Sequence, residues 1–417
     1  MATRTATKPV VHPATVTAMT VPAKLRQAIT EISHEFLERR DVAEIMVVAN
    51  LAMAHGILYG PPGAAKSALI RRVCEIYEGA RSFDMLMDKE SGKTDLFGQI
   101  DAELYDRTGR YERDLEGGLA DCHIGMMDEL GKTRSGLANL TLTAINERLF
   151  KNGKTIMNIP LISLWGGSNE MLEPVLAAFE DRFLIKRFVD YLQEPANFSA
   201  YLASKVKTHG GAPKVRTTIT LDELLHAIEE VRYIPVPQRI LDALLGLRSE
   251  LKNEGIVASD RRWGDAVALL QALAWLSERD EVDEDDLRIL QDVLWRKPED
   301  IGKVKTKVLA LTSEITREAM LIQDTLSEVN RELVARKGTS RANLMGYAID
   351  ANYLLETAGK KLTGLFAQAR KEKKNTATLD SVGNELKELQ IRAYMDLMSM
   401  DASTARTAVE GKSEWAF

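Results

Sequence analysis

Long apolar runs, cysteine clusters and histidine clusters are all missing from this chain of 417 residues. No apolar run approaches the roughly 20 residues that cross a bilayer. The N-terminus lacks the charged and apolar segments of a secretory signal, so we expect none. Its two cysteines, Cys74 and Cys122, are too few for a disulfide framework and predict a reducing, cytoplasmic compartment. The six histidines are scattered without the spacing of metal ligands.

A basic surface is also missing, because Lys and Arg number 55 against 61 Asp and Glu, for a net charge of −6. The basic residues do not cluster on one face, so nucleic acid is not an expected partner. The acidic run 280–286 and the basic patch 370–374 are typical of solvated surface. Residues 1–20 are rich in Thr, Ala, Val and Pro and predict a flexible tail.

One short segment has the pattern of a phosphate-binding loop. It follows the apolar run Gly56–Tyr59 and opens a helical pattern over Leu69–Tyr77, the strand–loop–helix context that such a loop requires. Ala65 departs from the usual pattern, which has a glycine there. In this interpretation Lys66 reaches the β- and γ-phosphates, and Ser67 binds Mg²⁺. The predicted nucleotide-binding residues are Gly60, Pro61, Pro62, Gly63, Ala64, Ala65, Lys66, Ser67 and Ala68.

Polar residues end two later apolar runs. Asp128 and Glu129 follow the run beginning at Ile124, where Asp128 would join Ser67 in binding Mg²⁺ and Glu129 would act as the general base for water. Gly125 weakens that strand and suggests close packing. Asn169 follows the next run, where an amide can hold the attacking water, although a simple helix cap is the alternative.

Two arginine sites complete this set. Arg182 opens the last predicted strand and could reach the γ-phosphate of a neighbouring subunit, where positive charge stabilises the transition state. A surface ion pair with Asp181 is the alternative. Arg261 or Arg262, after the predicted cap Ser259, could fold over the phosphates; structural ion pairing competes for either one.

The pattern along the chain predicts an α/β parallel-sheet domain, a helical lid and an all-α C-terminal region. Strand candidates alternate with helical patterns up to about Asp190, which is typical of a parallel sheet covered by helices. The candidates are Gly56–Tyr59, Ser82–Met87, His123–Met127, Ile159–Gly166 and Phe183–Phe188. The expected limits are 1–20 for the tail, 21–196 for the nucleotide-binding domain, 197–300 for the lid and 301–417 for the C-terminal helices.

The sequence also predicts an insertion, a connector and a C-terminal helical bundle. The region 79–119 reads as an insertion of helices and loops, and 210–213 (GGAP) as a connector. Beyond residue 301, three amphipathic stripes predict an antiparallel three-helix bundle. The first stripe runs from Ile301 to Ile315 and continues to Leu333 after a register slip. An exposed coiled coil that binds a partner is the alternative.

The ordered motifs resemble those of the AAA+ ATPases, and within them the MoxR family, with the RavA-type branch as the nearest likeness. The resemblance covers roughly residues 36–295. The residues that carry it are Gly60–Ser67, Asp95–Gly98, Gly109–Arg113, Met126–Lys132, Leu140–Gly153, Gly167–Glu170, Asp181–Lys186, Ala196–Leu202 and Ser259–Trp263. Ala65 supports the RavA-type branch, whose loops usually read Ala-Lys-Ser.

The resemblance implies roles for particular residues. It implies that Lys66 and Ser67 form the Walker A pair and that Asp128 and Glu129 form the Walker B pair. It assigns sensor 1 to Asn169, and the family motifs also place an arginine finger acting in trans at Arg182 and sensor 2 at Arg261, with Arg262 adjacent. The cofactors it implies are ATP and Mg²⁺.

The resemblance also implies an assembly and partners. Family members form rings, usually hexamers, and remodel a protein client, often with a partner that carries a von Willebrand factor type A (VWA) domain. RavA-type proteins interrupt their C-terminal helices with a small β-rich domain, and no strand-rich segment stands between 301 and 400 here. Pore-facing residues are expected in 89–113 and 152–158. The leading hypothesis is thus a remodelling ATPase, and the alternative is a nucleotide-gated scaffold with slow hydrolysis.

Overall fold

The computed structural model describes residues 19–193, 195–208, 215–336, 341–372, 376–398 and 400–411. Most of the predicted tail, the predicted connector 210–213 and the predicted break at 338–340 lie outside these ranges. The helices are α1 (Val21–Glu35), α2 (Arg40–Leu51), α3 (Lys66–Cys74), α4 (Lys93–Phe97), α5 (Ala102–Thr108), α6 (Ser135–Glu147), α7 (Ala177–Glu180), α8 (Pro195–Thr208), α9 (Leu221–Val231), α10 (Gln238–Asn253), α11 (Asp260–Leu276), α12 (Ile301–Leu311), α13 (Glu314–Arg336), α14 (Arg341–Glu372), α15 (Ala377–Met398) and α16 (Ala402–Glu410). Short 3₁₀ helices span Leu130–Lys132, Pro174–Leu176, Glu284–Asp292 and Pro298–Asp300.

The strands form one five-stranded parallel sheet and two small pairs. They are β1 (Gly56–Tyr59), β2 (Tyr77–Glu78), β3 (Ser82–Leu86), β4 (Ile124–Asp128), β5 (Leu149–Asn152), β6 (Thr155–Asn158), β7 (Ser163–Ser168), β8 (Ile185–Phe188) and β9 (Ile219–Thr220). The main sheet has the order β3-β4-β7-β1-β8. The predicted α/β fold with a parallel sheet is therefore confirmed. All five predicted strands are present in it.

Burial on both faces explains the composition of the central strands. Every residue of β1 and β7 is buried, as expected for a parallel sheet covered by helices. Gly125 in β4 shows the predicted close packing, because a Cβ there would lie 2.7 Å from Cδ1 of Leu164. The run predicted as a strand from Ile159 pairs only from Ser163 onward. Pro160 explains the late start, since proline cannot donate to a sheet ladder.

The order of the strands in the sheet brings the predicted catalytic and binding residues together. Strands β1, β4 and β7 are adjacent and parallel, so their carboxyl ends meet at one edge of the sheet. The loop after β1, the last residue of β4 and the residues after β7 all lie at this edge. This is the position where open α/β sheets bind ligands.

The lid is built from α9, α10, α11 and the 3₁₀ helix Glu284–Asp292. The acidic run 280–286, expected to be solvated surface, is partly buried, because Asp285 and Asp286 are 6% and 1% exposed. It begins the 3₁₀ helix: the side chain of Asp283 accepts from the N–H of Asp285, and Asp286 accepts from the N–H of Asp283, each at 2.9 Å. Apolar side chains of α11, such as those of Leu269, Leu270 and Leu273, are buried. Among the described residues, no helix is long and apolar enough to cross a membrane.

The C-terminal helices differ in one respect from the expected bundle. Helices α13, α14 and α15 share a core of their own, as the three-helix pattern predicts. The first stripe is divided, however: Val304 and Val308 of α12 are buried in the core of the sheet and lid, and the bundle core begins at Ile315. The chain turns between them, where the N–H of Ser313 donates to Asp285 at 3.0 Å. Helix α12 therefore packs with the lid.

Candidate active site

The phosphate-binding loop joins the carboxyl end of β1 to the first turn of α3. Lys66 is the first residue of α3, and Ala65 before it has left-handed backbone angles, with φ 66°. This conformation costs a residue other than glycine about 1–2 kcal/mol. Ala65 provides no side-chain cap to the helix. Because the first N–H groups of a helix have no partner within it, they are available to bind an anion.

Lys66 lies buried beneath the loop. Its Nζ donates to the carbonyl oxygens of Gly60 at 2.7 Å and Pro61 at 3.0 Å, and to Oδ1 of Asn169 at 2.8 Å. Burial lowers the pKa of Lys66, while the charges of Asp128 and Glu129 oppose that shift. A polyphosphate bound at the loop would favour the charged ammonium group further.

Ser67 and Asp128 form the second pair of the site. The hydroxyl of Ser67 donates to Oδ2 of Asp128, which joins the first turn of α3 to the end of β4. Mg²⁺ prefers oxygen ligands and is usually held by one or two protein groups together with substrate phosphates and water. A hydroxyl and a carboxylate in direct contact beside a helix N-terminus fit this ion. Among the described residues, no three His, Cys, Asp or Glu side chains form a metal cluster.

Glu129 takes a left-handed conformation directly after β4, with φ 56° and ψ 42°. For a residue other than glycine such a conformation costs about 1–3 kcal/mol. Nδ2 of Asn169 donates to Oε1 of Glu129 at 2.7 Å, and Nζ of Lys132 lies 3.6 Å from Oε2. The amide of Asn169 therefore links Lys66 to Glu129. The structure brings all the predicted Walker A, Walker B and sensor 1 residues together.

Arg182 lies at the other end of the sheet. It precedes β8, which runs parallel to β1 with Ile185 beside Gly56 and Phe188 beside Tyr59. The phosphate-binding loop begins only after Tyr59, so the length of the strand separates the two. Arg182 is therefore not part of the Lys66 site of its own chain.

Arg261 also lies with Arg182, away from the phosphate-binding loop of its own chain. Its Nη2 donates to the carboxylate of Asp181 and, at 3.1 Å, to the carbonyl oxygen of the same residue. The reason is that α11 packs against the segment before β8. A pocket of about 400 Å³ there is lined by Arg148, Arg182, Arg232, Arg261 and Asp265, among others.

The side chain of Arg262 is buried and bonds to the backbone of neighbouring segments. It is 3% exposed, and its guanidinium group donates to the carbonyl oxygens of Phe183 at 3.0 Å, Leu184, and Val293 at 2.8 and 3.0 Å. The bonds to Phe183 and Leu184 tie the lid to the segment just before β8. Of the two adjacent arginines, Arg261 is thus the one that lines the pocket.

Two residues near the loop, Gly167 and Tyr191, have roles that were not predicted from the sequence. A Cβ on Gly167 would lie 2.3 Å from Oδ1 of Asp128, so only glycine leaves room for this carboxylate. The Gly-Gly pair before Ser168 is a signal that could have shown it. The hydroxyl of Tyr191 donates to the carbonyl oxygen of Pro62 at 3.0 Å and supports the loop. No local pattern marks Tyr191.

Comparison with protein families agrees with this geometry. A family model described as the MoxR domain in the MoxR-vWA-beta-propeller ternary systems matches residues 23–229. A second model, described as an AAA lid domain, matches residues 239–308. The chain belongs to the MoxR family of AAA+ ATPases. The second match ends within α12, which accords with the packing of that helix against the lid.

Individual relatives and a solved structure extend this result. An uncharacterised protein of Methanocaldococcus jannaschii is 31% identical over 331 residues, which cover 79% of this chain and 86% of that protein. A MoxR chaperone of Mycobacterium tuberculosis is 27% identical over 172 residues, covering 40% of this chain and 44% of its own length. The crystal structure of a candidate ATPase from Cytophaga hutchinsonii superposes with a TM-score of 0.58 at 16% identity, covering 70% of this chain and 95% of that one. That last likeness shows the fold.

The contact between Gly167 and Asp128 leads to a first prediction for this MoxR protein. We expect Gly167→Ala to displace the Asp128 carboxylate and to lower Mg²⁺-dependent ATP turnover by about 10²-fold, the scale of a misplaced catalytic group. Steady-state turnover over a range of Mg²⁺ concentrations measures the effect.

A matched glycine provides the control. Gly264 lies in α11, and a Cβ there would meet nothing within 4 Å. Gly264→Ala should leave turnover unchanged and raise the free energy of unfolding by about 0.5–1 kcal/mol. Equal turnover in Gly167→Ala and Gly264→Ala would refute the assigned position of Asp128.

Proposed function

We propose that this chain binds Mg²⁺–ATP and hydrolyses it at the subunit interfaces of a ring, and that it uses the cycle to remodel a protein partner. One observation carries this proposal. Lys66, Ser67, Asp128, Glu129 and Asn169 form one connected site at the carboxyl edge of the sheet. Hydrolysis of a phosphoanhydride needs this combination of phosphate cradle, metal ligands, base and polar positioning group.

Each residue of the site has a role that its contacts support. The N-terminus of α3 and the Lys66 ammonium group would neutralise the β- and γ-phosphates. Glu129 would accept a proton from the attacking water, which the amide of Asn169 would orient. When bound, Mg²⁺ would supply charge neutralisation between the phosphates, with Ser67 and Asp128 as its protein ligands.

The position of Arg182 supports assembly into a ring. A transition state for phosphoryl transfer gains from an added arginine beside the γ-phosphate. Arg182 and Arg261 lie at the far end of β8 from the loop, so this chain would offer both to a different subunit. A contact that joins unlike surfaces of identical subunits closes into a ring when its rotation permits. The role assigned to Arg261 is therefore in trans.

Two predicted pore segments lie together on the surface and are the proposed client contact. The side chain of Asn152 in the β5–β6 hairpin accepts from the N–H of Arg113 at 2.7 Å and donates to its carbonyl oxygen at 2.9 Å. Tyr111 beside Arg113 and Ile156 in the hairpin are each 65% exposed. Exposed aromatic and aliphatic side chains are suited to grip an unfolded segment.

A VWA-domain protein is the partner we propose first. The matched family model describes MoxR domains from systems that pair MoxR with VWA and β-propeller proteins. The RavA-type assignment rests on the Ala65-Lys66-Ser67 sequence, and the helical bundle α13–α15 is similar in kind to the helices of that branch. Copurification with Glu129→Gln as bait, held in its ATP state, identifies the partner.

The first test is ATP turnover of the wild-type protein beside Lys66→Ala. We expect wild-type turnover, and we expect Lys66→Ala to raise the Kd for ATP by about 10²-fold or more. The reason is that charged hydrogen bonds contribute about 1.5–3 kcal/mol each, and several phosphate contacts would be lost. Calorimetric titration with Mg²⁺–ATP measures the affinity.

Lys154→Ala is the matched control for this lysine. Lys154 is exposed at the turn of the β5–β6 hairpin, so its loss should leave the Kd unchanged. Full ATP affinity in Lys66→Ala would remove the phosphate-binding assignment. Absence of turnover in the wild-type protein would remove the hydrolytic function.

One observation favours a second function, a nucleotide-gated scaffold with slow hydrolysis. Both carboxylate oxygens of Glu129 have partners, Asn169 at 2.7 Å and Lys132 at 3.6 Å. Both oxygens are thus engaged by protein groups, which leaves fewer acceptor positions open to an attacking water. Sedimentation with ATP, ADP and no nucleotide, alongside turnover rates, separates the two functions. Rings that form with ATP but hardly hydrolyse it would favour the scaffold.

A further inference from the structure

Asp181 lies at the junction of the sheet domain and the lid. It directly follows α7, and its carboxylate meets the first turn of α11. Oδ2 accepts from Nη2 of Arg261, and Oδ1 lies 3.7 Å from Nη1 of Arg262. The carboxylate therefore binds Arg261 directly and lies near Arg262, whose hydrogen bonds go to backbone carbonyl oxygens.

Arg182 is next to this carboxylate but is hardly engaged by it. Its Nη1 lies 3.9 Å from Oδ2 of Asp181, and its Nε is buried without a hydrogen-bond partner. Burial lowers the pKa of Arg182, and the charge of Arg261 adds to that shift. Asp181 and Asp265 oppose it. The guanidinium group of Arg182 thus has hydrogen-bonding capacity left for an anion.

Two like charges this close need a counter-charge. Arg182 and Arg261 line the same pocket, with side chains 24% and 31% exposed. At such partly buried sites the repulsion between two cations is larger than in water. The Asp181 carboxylate is the group in contact with Arg261 that offsets it. Asp181 also fixes the direction of the Arg261 side chain, because Arg261 donates both to its carboxylate and to its backbone carbonyl oxygen.

We propose that Asp181 is a positioning residue that holds the lid arginine Arg261 beside Arg182, so that both face the triphosphate of the adjacent subunit. This inference rests on the proposed function. If Asp181 has this role, the rate of hydrolysis at the neighbouring subunit's site depends on the orientation of the lid. A lid that rotates away from β8 would withdraw Arg261 and leave Arg182 alone.

The test compares Asp181→Asn with the wild-type ring. Asn keeps the shape of the side chain and removes its charge. We expect ATP turnover to fall by about 10- to 100-fold, the scale of a displaced catalytic group, with the Kd for ATP unchanged. Asp181→Glu, which keeps the charge one methylene group further out, should keep more turnover than Asp181→Asn.

Mixed rings distinguish positioning in trans from a structural role. An Asp181→Asn subunit keeps an intact Walker site, and a Glu129→Gln subunit keeps intact arginines. Coexpressed rings should therefore show turnover above that of either parent ring. If Asp181 only stabilised its own subunit, mixing would restore nothing. Should Asp181→Asn not assemble, the same mixing is done with Asp181→Glu, for which we expect a milder loss of the same kind.

Asp260 gives the matched control. It lies in the same first turn of α11, but its carboxylate is exposed and pairs with Arg248 at 2.7 Å. Asp260→Asn should behave as the wild type. Wild-type turnover in Asp181→Asn, or a loss that mixing does not restore, overturns the positioning role. Absence of turnover in the wild-type ring would instead refute the proposed function itself.

Discussion

Glu129→Gln is expected to lower ATP turnover by about 10²- to 10⁴-fold while ATP remains bound, because a general base contributes that range to a rate. Gln has the same shape as Glu, and its amide oxygen can still accept from Nδ2 of Asn169, as Oε1 of Glu129 does at 2.7 Å. It cannot take a proton from water. Single-turnover hydrolysis and equilibrium binding of ATP, measured on the same preparation, separate chemistry from affinity.

Glu170→Gln is the control for this substitution. Glu170 is exposed and lies next to Asn169. Glu170→Gln therefore removes the same charge from the same edge of the sheet. Its turnover should equal that of the wild type. A Glu129→Gln protein that hydrolyses ATP at the wild-type rate would show that Glu129 is not the base. One that no longer binds ATP would point to a structural role.

Arg182→Ala should lower turnover by about 10³-fold or more, the contribution typical of an arginine supplied to the γ-phosphate. The affinity for ATP should change little, because the phosphate-binding loop lies at the other end of the sheet. Arg248→Ala serves as the control, since Arg248 is 54% exposed on the lid and pairs with Asp260. Turnover at saturating ATP measures both variants.

The same arginine allows a direct test of which subunit it serves. Rings formed from Arg182→Ala and Glu129→Gln subunits together contain interfaces with an intact base on one side and an intact arginine on the other. We expect hydrolysis at those interfaces and little in either parent ring. If mixed rings are as inactive as their parents, Arg182 acts within its own subunit or stabilises it.

The meeting of the proposed site residues could be predicted because the parts of this site are local. The loop after Tyr59 runs from a strand into the first turn of a helix; Asp128 ends a strand, and Glu129 and Asn169 each directly follow one. In a parallel sheet all carboxyl ends lie at one edge, so residues that follow neighbouring strands meet there. The strand order itself, β3-β4-β7-β1-β8, was not predicted from sequence.

The positions of Arg261 and of α12 depended on distant packing. Arg261 meets Asp181, which is 80 residues earlier, and Val308 lies in the core of the sheet and lid although its periodicity continues into the bundle. An amphipathic stripe shows that a helix buries one face, but it does not show which partner covers that face. The side chain of Arg262 illustrates the same limit. Although it stands next to a predicted sensor, its guanidinium group donates to the backbone carbonyl oxygens of Phe183, just before β8, and of Val293.

The sequence alone determined the fold class and the chemistry of the loop, including the unusual Ala65 at a position that takes a left-handed conformation. Those features follow from short-range geometry and from the order of strands along the chain. Only the tertiary structure decided that the two lid arginines lie at the opposite end of β8 from Lys66. The direction in which a lid folds back depends on which apolar surfaces and charges meet across the two domains, and these contacts join residues far apart in the chain.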